Sequence, residues 1–539
     1  MIGAEAMIKC LEAEGITKVF GYPGVAIAPF YEGLYNSSIE HILVRQEQNA
    51  GHAASGYARV SRKPAVCVVT SGPGATNLIT ALATAYADSI PIVAISGQVS
   101  SELLGRDVFQ EADMRGATES FVKYSYLVKD PDDIPRVFKE AFYIASTGRK
   151  GPVLIDIPID VQNRELSKPF AYPESVSIRG YKPEIKVNMG QIGKVVAALN
   201  QAKKPLICAG GGVILGDGEG ILRRFCEKFS IPLVSTMMGI GVLPKKHPLY
   251  FGMLGNNGKP YANKAVVRSD LLIIVGARLA DRAIPKPENL AQRVAIIHID
   301  IDTAEIGKNL GPTIPLVGDV KDIFAALMQE EIRPAGQAWI DELEDIKHST
   351  VDPRVFSDDW VNPNLLVQKL SEKMDDDAVY VADVGQNQLW SADNYVMKEG
   401  RFMTTGGMGT MGYSIPAAIG AKMYAPKRQT VAVCGDGSFQ MSMNELATIR
   451  VGNIPVKVLV VKNRYLGLVR EYQYNTYDAH YEGVKLYDWP RYDKIAEAYD
   501  MPFFHCRTSA ELDGKLDAFL ACPDACLMVC EVDSEDRVK

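Results

Sequence analysis

The sequence predicts an α/β protein built from three doubly wound parallel sheets, each in a domain of its own. Short apolar runs alternate with helical patterns of roughly 15 residues, which is typical of parallel sheets. At 539 residues the chain has room for about three domains. Proline-rich stretches without clear periodicity separate the blocks. We therefore predict domains at residues 1–165, 191–340 and 363–539, whose like size and class suggest duplicated modules.

The predicted elements follow from the order of the apolar runs. The chain opens with an amphipathic helical pattern at Met1–Lys9. The candidate strands of the first domain are Lys18–Gly21, His41–Val44, Ala65–Thr70, Pro91–Ser96 and Pro152–Ile157. Those of the second and third domains are Pro205–Ala209, Leu271–Val275, Val294–Asp300, Ala378–Asp383, Val431–Cys434, Val458–Lys462 and Cys526–Val532. Residues 166–190 and 341–362 are expected to connect the domains.

Composition and charge argue against several classes of function. Apolar residues make up 47% of the chain and charged residues 23%, as in ordinary globular enzymes. A net charge of -7 gives no electrostatic reason to expect nucleic acid or an anionic membrane as partner. No apolar run reaches the roughly 18 residues of a membrane span, and the acidic start does not resemble a secretory signal. We expect a cytoplasmic protein.

The nine cysteines are expected to be buried small hydrophobic residues in a reducing compartment. Cys522, Cys526 and Cys530 are evenly spaced, but no histidine or Cys-x-x-Cys pair accompanies them. A metal cluster is therefore not predicted there.

One polar pair in the third domain suggests a metal site. An apolar run ends in Gly435-Asp436-Gly437, and a second run ends at Asn463 after 25 intervening residues. That spacing accommodates the helix between two neighbouring parallel strands, so the two side chains should meet at the carboxyl edge of the sheet. Alone, Gly-Asp-Gly would be only a turn. A carboxylate and an amide oxygen beside glycine backbone suit Mg2+ holding a diphosphate.

Glu47 is the candidate catalytic acid of the first domain. It follows an apolar strand and opens a small-residue helix, a position whose dipole favours a carboxylate. A surface helix acid is the simpler interpretation. The small residues between Ala50 and Ala54 instead imply close packing and a buried glutamate, which needs a partner that takes or shares its proton.

Four further loops place polar groups at strand ends. They are Ser71–Asn77, Phe109–Glu111, Asp383–Gln388 and the glycine-dense Thr404–Tyr413. Glycine in the last loop lets backbone approach a flat ligand, and Met408 and Met411 could form an apolar wedge. A structural turn, an incidental loop and core methionines are the alternatives.

Taken together, these motifs resemble the thiamine-diphosphate enzymes, and more narrowly the acetolactate synthase (acetohydroxyacid synthase) catalytic subunits. The likeness covers essentially the whole chain and includes Phe20–Gly24, Phe109–Asp113 and Glu445–Arg450. It implies a pyrimidine-binding, a central and a diphosphate-binding domain, in that order.

The resemblance also implies roles for individual residues. The Mg2+ ligands would be Asp436, Asn463 and the backbone oxygen of Tyr465. The residues around thiamine diphosphate would be Pro23, Gly72, Asn77, Gly385, Gln386, Asn387, Gly409, Met411, Gly437 and Ser438. Glu47 would hydrogen-bond the aminopyrimidine ring, and Gln110 would join the catalytic groups. FAD would be held by Gly210, Gly211, Gly212, Thr236, Arg278 and Asp300.

The implied reaction belongs to branched-chain amino-acid biosynthesis. Pyruvate would lose CO2, and its remaining two carbons would join a second 2-keto acid, whose carboxylate Arg278 would hold. A surface arginine that caps a helix is the alternative for Arg278. The family places its cofactor between two subunits, so a homodimer or homotetramer is expected, with a small regulatory subunit as a possible partner.

Four departures from the family pattern leave alternatives open. Tyr472 stands where the family has a tryptophan that favours 2-ketobutyrate, so pyruvate is the expected second substrate. The flavin segments read Asn256–Gly258 and Leu279–Arg282, Asn387 replaces a histidine, and the chain stops at residue 539. A related 2-keto-acid decarboxylase or lyase with another acceptor, suggested also by Val25, and a non-catalytic paralogue are the alternative functions.

Overall fold

Three six-stranded sheets form the framework of the molecule, and every pairing between their strands is parallel. The computed structural model describes residues 1–284, 287–311, 313–350 and 354–538, without the side chain of residue 288. Helices lie between most successive strands of each sheet, as is usual for crossovers between parallel strands. In the central sheet, the described residues of the connections at 236–249 and 301–313 contain no α-helix. The predicted fold class is confirmed.

The N-terminal sheet has the strand order β2-β1-β3-β4-β6-β5. Its strands are β1 (Lys18–Tyr22), β2 (Glu40–Leu43), β3 (Ala65–Val69), β4 (Ile92–Gln98), β5 (Tyr124–Leu127) and β6 (Val153–Pro158). Its helices are α1 (Gly3–Ala13), α2 (Ala28–Tyr35), α3 (Glu47–Ser61), α4 (Pro73–Asn77), α5 (Ile79–Asp88), α6 (Met114–Thr118), α7 (Ile134–Ser146) and α8 (Ile159–Asn163). The predicted amphipathic helix at the start is α1, whose apolar side packs into the core of this sheet.

The central sheet has the order β12-β11-β10-β7-β8-β9. Its strands are β7 (Pro205–Ala209), β8 (Leu233–Ser235), β9 (Tyr250–Met253), β10 (Leu271–Val275), β11 (Ala295–Asp300) and β12 (Ile314–Val317). Its helices are α9 (Met189–Gln201), α10 (Gly211–Leu215), α11 (Glu219–Phe229), α12 (Pro260–Arg268), α13 (Pro287–Ala291), α14 (Val320–Leu327) and α15 (Gln337–His348). Helix α15 runs across the predicted domain end at residue 340, because Trp339 and Leu343 both pack into this core.

The C-terminal sheet has the order β14-β13-β15-β16-β18-β17, which repeats that of the N-terminal sheet. Its strands are β13 (Val379–Ala382), β14 (Arg401–Met403), β15 (Thr430–Gly435), β16 (Lys457–Lys462), β17 (Phe503–Cys506) and β18 (Cys526–Glu531). Its helices are α16 (Pro363–Lys373), α17 (Gln386–Asn394), α18 (Ser414–Tyr424), α19 (Asp436–Ser442), α20 (Leu446–Val451), α21 (Gly467–Thr476), α22 (Tyr492–Ala498) and α23 (Leu512–Ala521). The shared order fits the prediction of like modules.

Each sheet has a switch point where the chain reverses its direction of winding, and α/β proteins bind ligands there. In the C-terminal sheet the switch lies between β13 and β15, so the loops after these strands flank one crevice. The corresponding pairs are β1 and β3 in the N-terminal sheet and β7 and β10 in the central sheet. Ser71–Asn77, Asp383–Gln388 and Gly435–Gly437 follow strands at these switch points. Thr404–Tyr413 instead follows the edge strand β14, and Phe109–Glu111 lies between β4 and α6.

The N- and C-terminal domains are joined by the packing of α3 against α18, which buries one continuous apolar cluster. Gly56 of α3 lies against the backbone of Ala417, and Gly420 of α18 lies against the backbone of Ala53. A Cβ atom at either glycine would overlap the facing carbonyl oxygen. The two helices therefore touch backbone to backbone, and the contact is reciprocal.

A single carboxylate connects all three domains. Glu219 at the start of α11 accepts hydrogen bonds from Arg62 of the N-terminal domain, at 2.9 and 3.2 Å. It also accepts one from Arg401 of the C-terminal domain, at 2.9 Å. The C-terminal end of α3 is thereby attached to the central domain.

Several other expectations concern the chain as a whole. The connection at 166–190 contains no helix or strand before α9. All nine cysteines are free thiols; eight are buried and Cys522 is half-buried. Within the described residues, none of the helices combines the length and the apolar character needed to cross a membrane.

Candidate active site

Asp436 occupies the turn between β15 and α19 and is 3% exposed. Its carboxylate accepts backbone N–H groups from Arg464 at 2.6 Å and from Gly437 at 3.1 Å. Burial raises the pKa of Asp436 to about 6, although these hydrogen bonds oppose the shift. Among the described residues, no basic side chain donates to this carboxylate, so a bound cation would supply the missing positive charge.

Asn463 follows β16 and is brought beside Asp436, as its spacing predicts. Its Oδ1 accepts the N–H of Tyr465 at 2.9 Å, while its Nδ2 donates to Gln386 Oε1 at 2.9 Å. Arg464, which lies between Asn463 and Tyr465 in the chain, adopts a left-handed backbone conformation with φ of 68°. This conformation turns the N–H of Arg464 toward Asp436 and that of Tyr465 toward Asn463.

The side chain of Arg464 ties this turn to the end of the sheet. It forms ion pairs with Asp488, at 3.2 Å, and with Glu531, and its guanidinium lies 5.1 Å from the ring centre of Trp360. A left-handed non-glycine residue costs about 1 kcal/mol or more, so these contacts stabilise a backbone that the residue alone would not favour.

The loop after β13 forms the second wall of the crevice. Asp383 is fully buried and accepts N–H groups from Val384, Gly412 and Ser414 at 2.8 to 3.0 Å. Burial raises its pKa. Asp383 therefore attaches the glycine-dense loop Thr404–Tyr413 to the end of β13.

Polar groups that could face an anion lie along this wall. Gly385 begins α17 with φ of 117° and open space where a side chain would be, and Gly409 has φ of 65°. Asn387 donates to the backbone oxygens of Val433 and Asp383, and its buried Oδ1 has no partner in the described chain. The open backbone at Gly385 and Gly409 fits a diphosphate. The amide nitrogen of Asn387 is already used within the chain, and its free oxygen is an acceptor, which suits a donor or a cation and not an anion.

Gln386 differs from its neighbours because both ends of its amide are engaged within the chain. Its Nε2 donates to Glu471 Oε2 and to the backbone oxygen of Asp536, both at 3.0 Å, and its Oε1 accepts from Asn463. Glu471 also accepts the N–H of Val538 at 3.1 Å. The segment after β18 therefore lies directly over this part of the crevice.

The remaining predicted residues of the C-terminal domain lie close to the turn at Asp436. Ser438 is buried and donates to the oxygen of Gly435 at 3.2 Å. Gly437 faces Leu466, Leu486 and the methyl group of Met411. Within the described residues, no three His, Cys, Asp or Glu side chains gather around a common point, so a cation here would depend on amide, backbone and ligand oxygens.

The glycine-dense loop is also held by the N-terminal domain, a contact that the sequence did not predict. Asp88, at the end of α5, accepts N–H groups from Gly407 at 2.8 Å and Gly406 at 3.3 Å. The hydroxyl groups of Thr84 and Thr410 are 2.6 Å apart. An aspartate at the end of a helix carries no sequence signal for such a contact between domains.

Glu47 is the first residue of α3 and is half-buried rather than fully buried. Its Oε2 accepts a hydrogen bond from Asn77 Nδ2 at 3.0 Å. No other hydrogen-bond partner of this carboxylate occurs among the described residues, and none joins it to Asp436. Glu47 therefore presents an available oxygen on the surface of the single chain.

Gly72, Gln110 and Pro23 lie at the same edge of the N-terminal sheet. Gly72 has φ of 58°, and a Cβ atom there would lie 2.9 Å from the Cα of Gln110. Gln110 itself is left-handed, with φ of 61°. Pro23 follows β1 and is exposed, as are Val25 and Phe109, whose exposed fractions are 79% and 86%.

A cavity of about 1790 Å³ lies between the three domains. The predicted flavin residues that line it are Gly211, Gly212, Thr236, Arg278 and Asp300. Gly210 instead packs against the backbone of Gly276. The cavity extends to Gly409 and to residues between Leu468 and Tyr472 of the C-terminal domain. One space therefore connects the central domain to the C-terminal domain.

Two charged groups in this cavity have distinct environments. Arg278 is half-buried in the loop after β10, and its guanidinium has no acidic partner in the described part of the chain. Burial raises the pKa of Asp300 to about 6. The volume suits a large dinucleotide together with a small substrate, and the unpaired guanidinium suits a carboxylate.

Comparison with known families shows a match to all three parts of the chain. The N-terminal TPP binding domain of thiamine pyrophosphate enzymes matches residues 1–117, their central domain residues 192–327, and their C-terminal TPP binding domain residues 383–530. The three matched segments fall in the three sheet domains in chain order; the first ends before β5 and β6, and the third begins directly after β13.

Individual relatives align along nearly the whole chain. A probable acetolactate synthase large subunit of Methanocaldococcus jannaschii is 43% identical over 96% of this chain and 89% of its own length. The acetolactate synthase large subunit of Corynebacterium glutamicum is 44% identical over 90% of this chain and 79% of its own. That of Haemophilus influenzae is 39% identical over 99% and 95%.

Proposed function

Because the chain belongs to the acetolactate synthase large-subunit family of thiamine pyrophosphate enzymes, we propose that it converts two molecules of pyruvate into 2-acetolactate and CO2. It is an enzyme that depends on thiamine diphosphate. The observation that carries the proposal is the crevice at the C-terminal switch point, where the buried carboxylate of Asp436 receives backbone N–H groups but no basic side chain of the described residues. The product places the enzyme in branched-chain amino-acid biosynthesis.

The chain's own groups would hold the cofactor as follows. Asp436, Asn463 and the backbone oxygen of Tyr465 bind Mg2+, because hard oxygen ligands suit that ion. Gly385, Asn387, Gly437 and Ser438 surround the diphosphate, with Gln386 supporting Asn463. Gly409 and Met411 would hold the rings of the cofactor, together with Pro23, Gly72 and Asn77 from the N-terminal domain.

Thiamine diphosphate supplies the carbon nucleophile of the reaction when it is bound. Glu47 would hydrogen-bond the pyrimidine ring through its available oxygen, while Asn77 holds the other oxygen. Gln110 lies at the same edge and orients the substrate. Glu47 is only half-buried in the single chain, so a partner copy over this edge would be needed to exclude water from the reacting groups.

Arg278 and the cavity between the domains define the place of the second keto acid. The unpaired guanidinium binds its carboxylate through two parallel hydrogen bonds. Tyr472 lines the same space and is smaller than the tryptophan of the family, so pyruvate is preferred over 2-ketobutyrate. Gly211, Gly212, Thr236 and Asp300, which line the same cavity, would hold FAD.

The active site needs a second copy of the chain. Glu47 and Asp436 do not meet within one chain, and both lie at sheet edges that a partner could cover. A homodimer or homotetramer pairs the N-terminal domain of one copy with the C-terminal domain of another. The relatives are named large subunits, so a small regulatory subunit is the proposed further partner, and the free thiols fit the cytoplasm.

A product assay tests the function. Purified chain is incubated with pyruvate, thiamine diphosphate, Mg2+ and FAD, then acidified, and acetoin from the decarboxylation of acetolactate is measured. The expected result is acetoin that depends on Mg2+. A reaction with full cofactors and no acetoin would refute the proposal and favour a non-catalytic paralogue.

The alternative function, in which a different acceptor is used, rests on Tyr472, whose side chain is 58% exposed at the edge of the cavity. A panel of 2-keto acids and aldehydes distinguishes the two functions, with Tyr472→Trp as the matched variant. Higher turnover with a non-pyruvate acceptor would favour the alternative.

Glu47→Gln should leave thiamine diphosphate bound and abolish exchange of the C2 proton of this cofactor.

A further inference from the structure

Glu445 is a carboxylate that the proposed chemistry does not use, although it touches the segment that carries Glu47. It lies between α19 and α20 of the C-terminal domain and is fully buried. Its Oε1 accepts the N–H of Arg45 at 2.8 Å and the Nδ2 of Asn49 at 2.9 Å. These two residues flank Glu47 at a distance of two positions on either side.

The start of α3 needs such a contact because it lacks a cap of its own. Gln46 occupies the N-cap position and makes no capping hydrogen bond with its side chain. An uncapped helix start leaves N–H groups unsatisfied and tends to fray. Glu47 is the first helical residue, so fraying would displace its carboxylate.

Thr448 extends the contact to the preceding strand. Its hydroxyl lies 2.7 Å from Glu445 Oε2 and 3.1 Å from the backbone oxygen of Leu43, at the end of β2. The hydroxyl has one proton, so it can donate to only one of these oxygens at full strength. Burial raises the pKa of Glu445, and a protonated Glu445 would donate to Thr448, which would then donate to Leu43.

We propose that Glu445 is a positioning residue that fixes the turn between β2 and α3, and with it the orientation of Glu47. The proposal rests on the catalytic role assigned above to Glu47. Two contacts of one buried carboxyl hold both sides of Glu47, and a third acts through Thr448 on Leu43. The C-terminal domain of a chain therefore sets the geometry of the catalytic group of its own N-terminal domain.

Four variants test this assignment. Glu445→Ala removes all three contacts. Glu445→Asp keeps the charge but withdraws the carboxylate by about 1.5 Å. This variant should therefore still fold, but it should lose the hydrogen bonds from Arg45 and Asn49. Glu445→Gln imitates the protonated acid, because its amide can donate to Thr448 and still accept from Arg45 and Asn49. Glu219→Ala is the control, since it removes the hydrogen bonds of Arg62 at the other end of the same helix and leaves only the ion pair of Arg62 with Asp217.

The first readout needs no cofactor. Backbone hydrogen exchange is followed by mass spectrometry in the cofactor-free chain, over peptides that cover residues 43–52. Exchange there should accelerate in the alanine and aspartate variants and stay at the wild-type rate in the glutamine variant. The Glu219→Ala variant should exchange faster around residue 62 and remain protected at 43–52.

The second readout is exchange of the C2 proton of bound thiamine diphosphate, measured by NMR at saturating cofactor. A displaced catalytic group typically costs about 10- to 100-fold in rate, so we expect a loss of that size in the alanine and aspartate variants. The glutamine and Glu219→Ala variants should keep the wild-type rate. Exchange at the wild-type rate in Glu445→Asp, with unchanged protection at 43–52, would overturn the proposal.

The two proposals fail in distinguishable ways. If the wild-type chain shows no C2 exchange, the proposed function is wrong, while the protection pattern at 43–52 still decides whether Glu445 fixes the turn. If the wild type exchanges and Glu445→Gln loses the activity together with Glu445→Ala, the charge of Glu445 matters and the positioning role is refuted.

Discussion

The reciprocal contact of α3 and α18 predicts that Gly56→Ala and Gly420→Ala are equally harmful. Each substitution places a methyl carbon about 1 Å inside the 3.0 Å limit that Cβ atoms keep in proteins. The overlapping atom is a backbone oxygen in both cases, Ala417 for Gly56 and Ala53 for Gly420. Neither oxygen can rotate away, so the helices must separate.

The size of the effect follows from this geometry. Overpacking of a tight core costs about 1 to 3 kcal/mol, and a rigid backbone on both sides places each variant at the upper end, near 3 kcal/mol. The double variant should cost clearly less than the sum, because separation that admits one methyl group also admits the other. Couplings of about 0.5 to 3 kcal/mol are typical of residues in contact.

Thermal unfolding by calorimetry, with chemical denaturation as a second probe, measures these changes. Gly193→Ala is the matched control, since Gly193 lies on the exposed side of α9 with no atom near its would-be Cβ. That change should stabilise by up to about 1 kcal/mol through helix propensity. Single variants as stable as the wild type, or a strictly additive double variant, would refute the reasoning.

Three further predictions concern single side chains. Asp436→Ala should weaken Mg2+-dependent binding of thiamine diphosphate, measured by titration calorimetry. The loss should exceed the roughly 10- to 100-fold that is typical when a group that hydrogen-bonds a metal ligand is changed. Unchanged affinity would contradict the role of Asp436 as a ligand. Burial raises the pKa of Asp156 to about 7, so the folded chain retains a proton that the unfolded chain loses, and stability from this group falls as pH rises from about 4 to 7. Asp156→Asn should remove that pH dependence, so its free energy of unfolding should rise relative to that of the wild type by at most about 4 kcal/mol at pH 8. Parallel curves of stability against pH for the variant and the wild type would disprove this. Arg464→Gly and Arg464→Ala both lose the ion pairs, yet the glycine variant should be more stable by about 1 kcal/mol because the backbone is left-handed; the reverse order in denaturant would contradict this.

The fold was predictable from the sequence where strands are buried on both faces. Six strands escape the sequence patterns, and five of them, β5, β9, β12, β14 and β17, are edges of their sheets. An edge strand has one neighbour and a partly exposed face, so its apolar signal is weak. Tyr124–Leu127, for example, is exposed or half-buried throughout.

The candidate site was predictable where a local pattern fixes geometry. The spacing of Asp436 and Asn463 suffices to bring them together, because neighbouring parallel strands end at the same edge. The contacts of Asp88 and Glu445 were not predictable, since each joins residues more than 300 positions apart in the chain. Only the packing of α3 on α18 places those carboxylates, and no pattern around them signals it.

The paired glycines also constrain how this chain can change over evolutionary time. The motifs Ala53-x-x-Gly56 and Ala417-x-x-Gly420 stand at equivalent places in two like-ordered sheets, and each glycine receives the alanine of the other. The contact thus has the self-complementary form of a symmetric dimer interface, enclosed within one polypeptide. We expect the two motifs to be inherited as a unit, because a larger residue at either glycine would also separate the other pair.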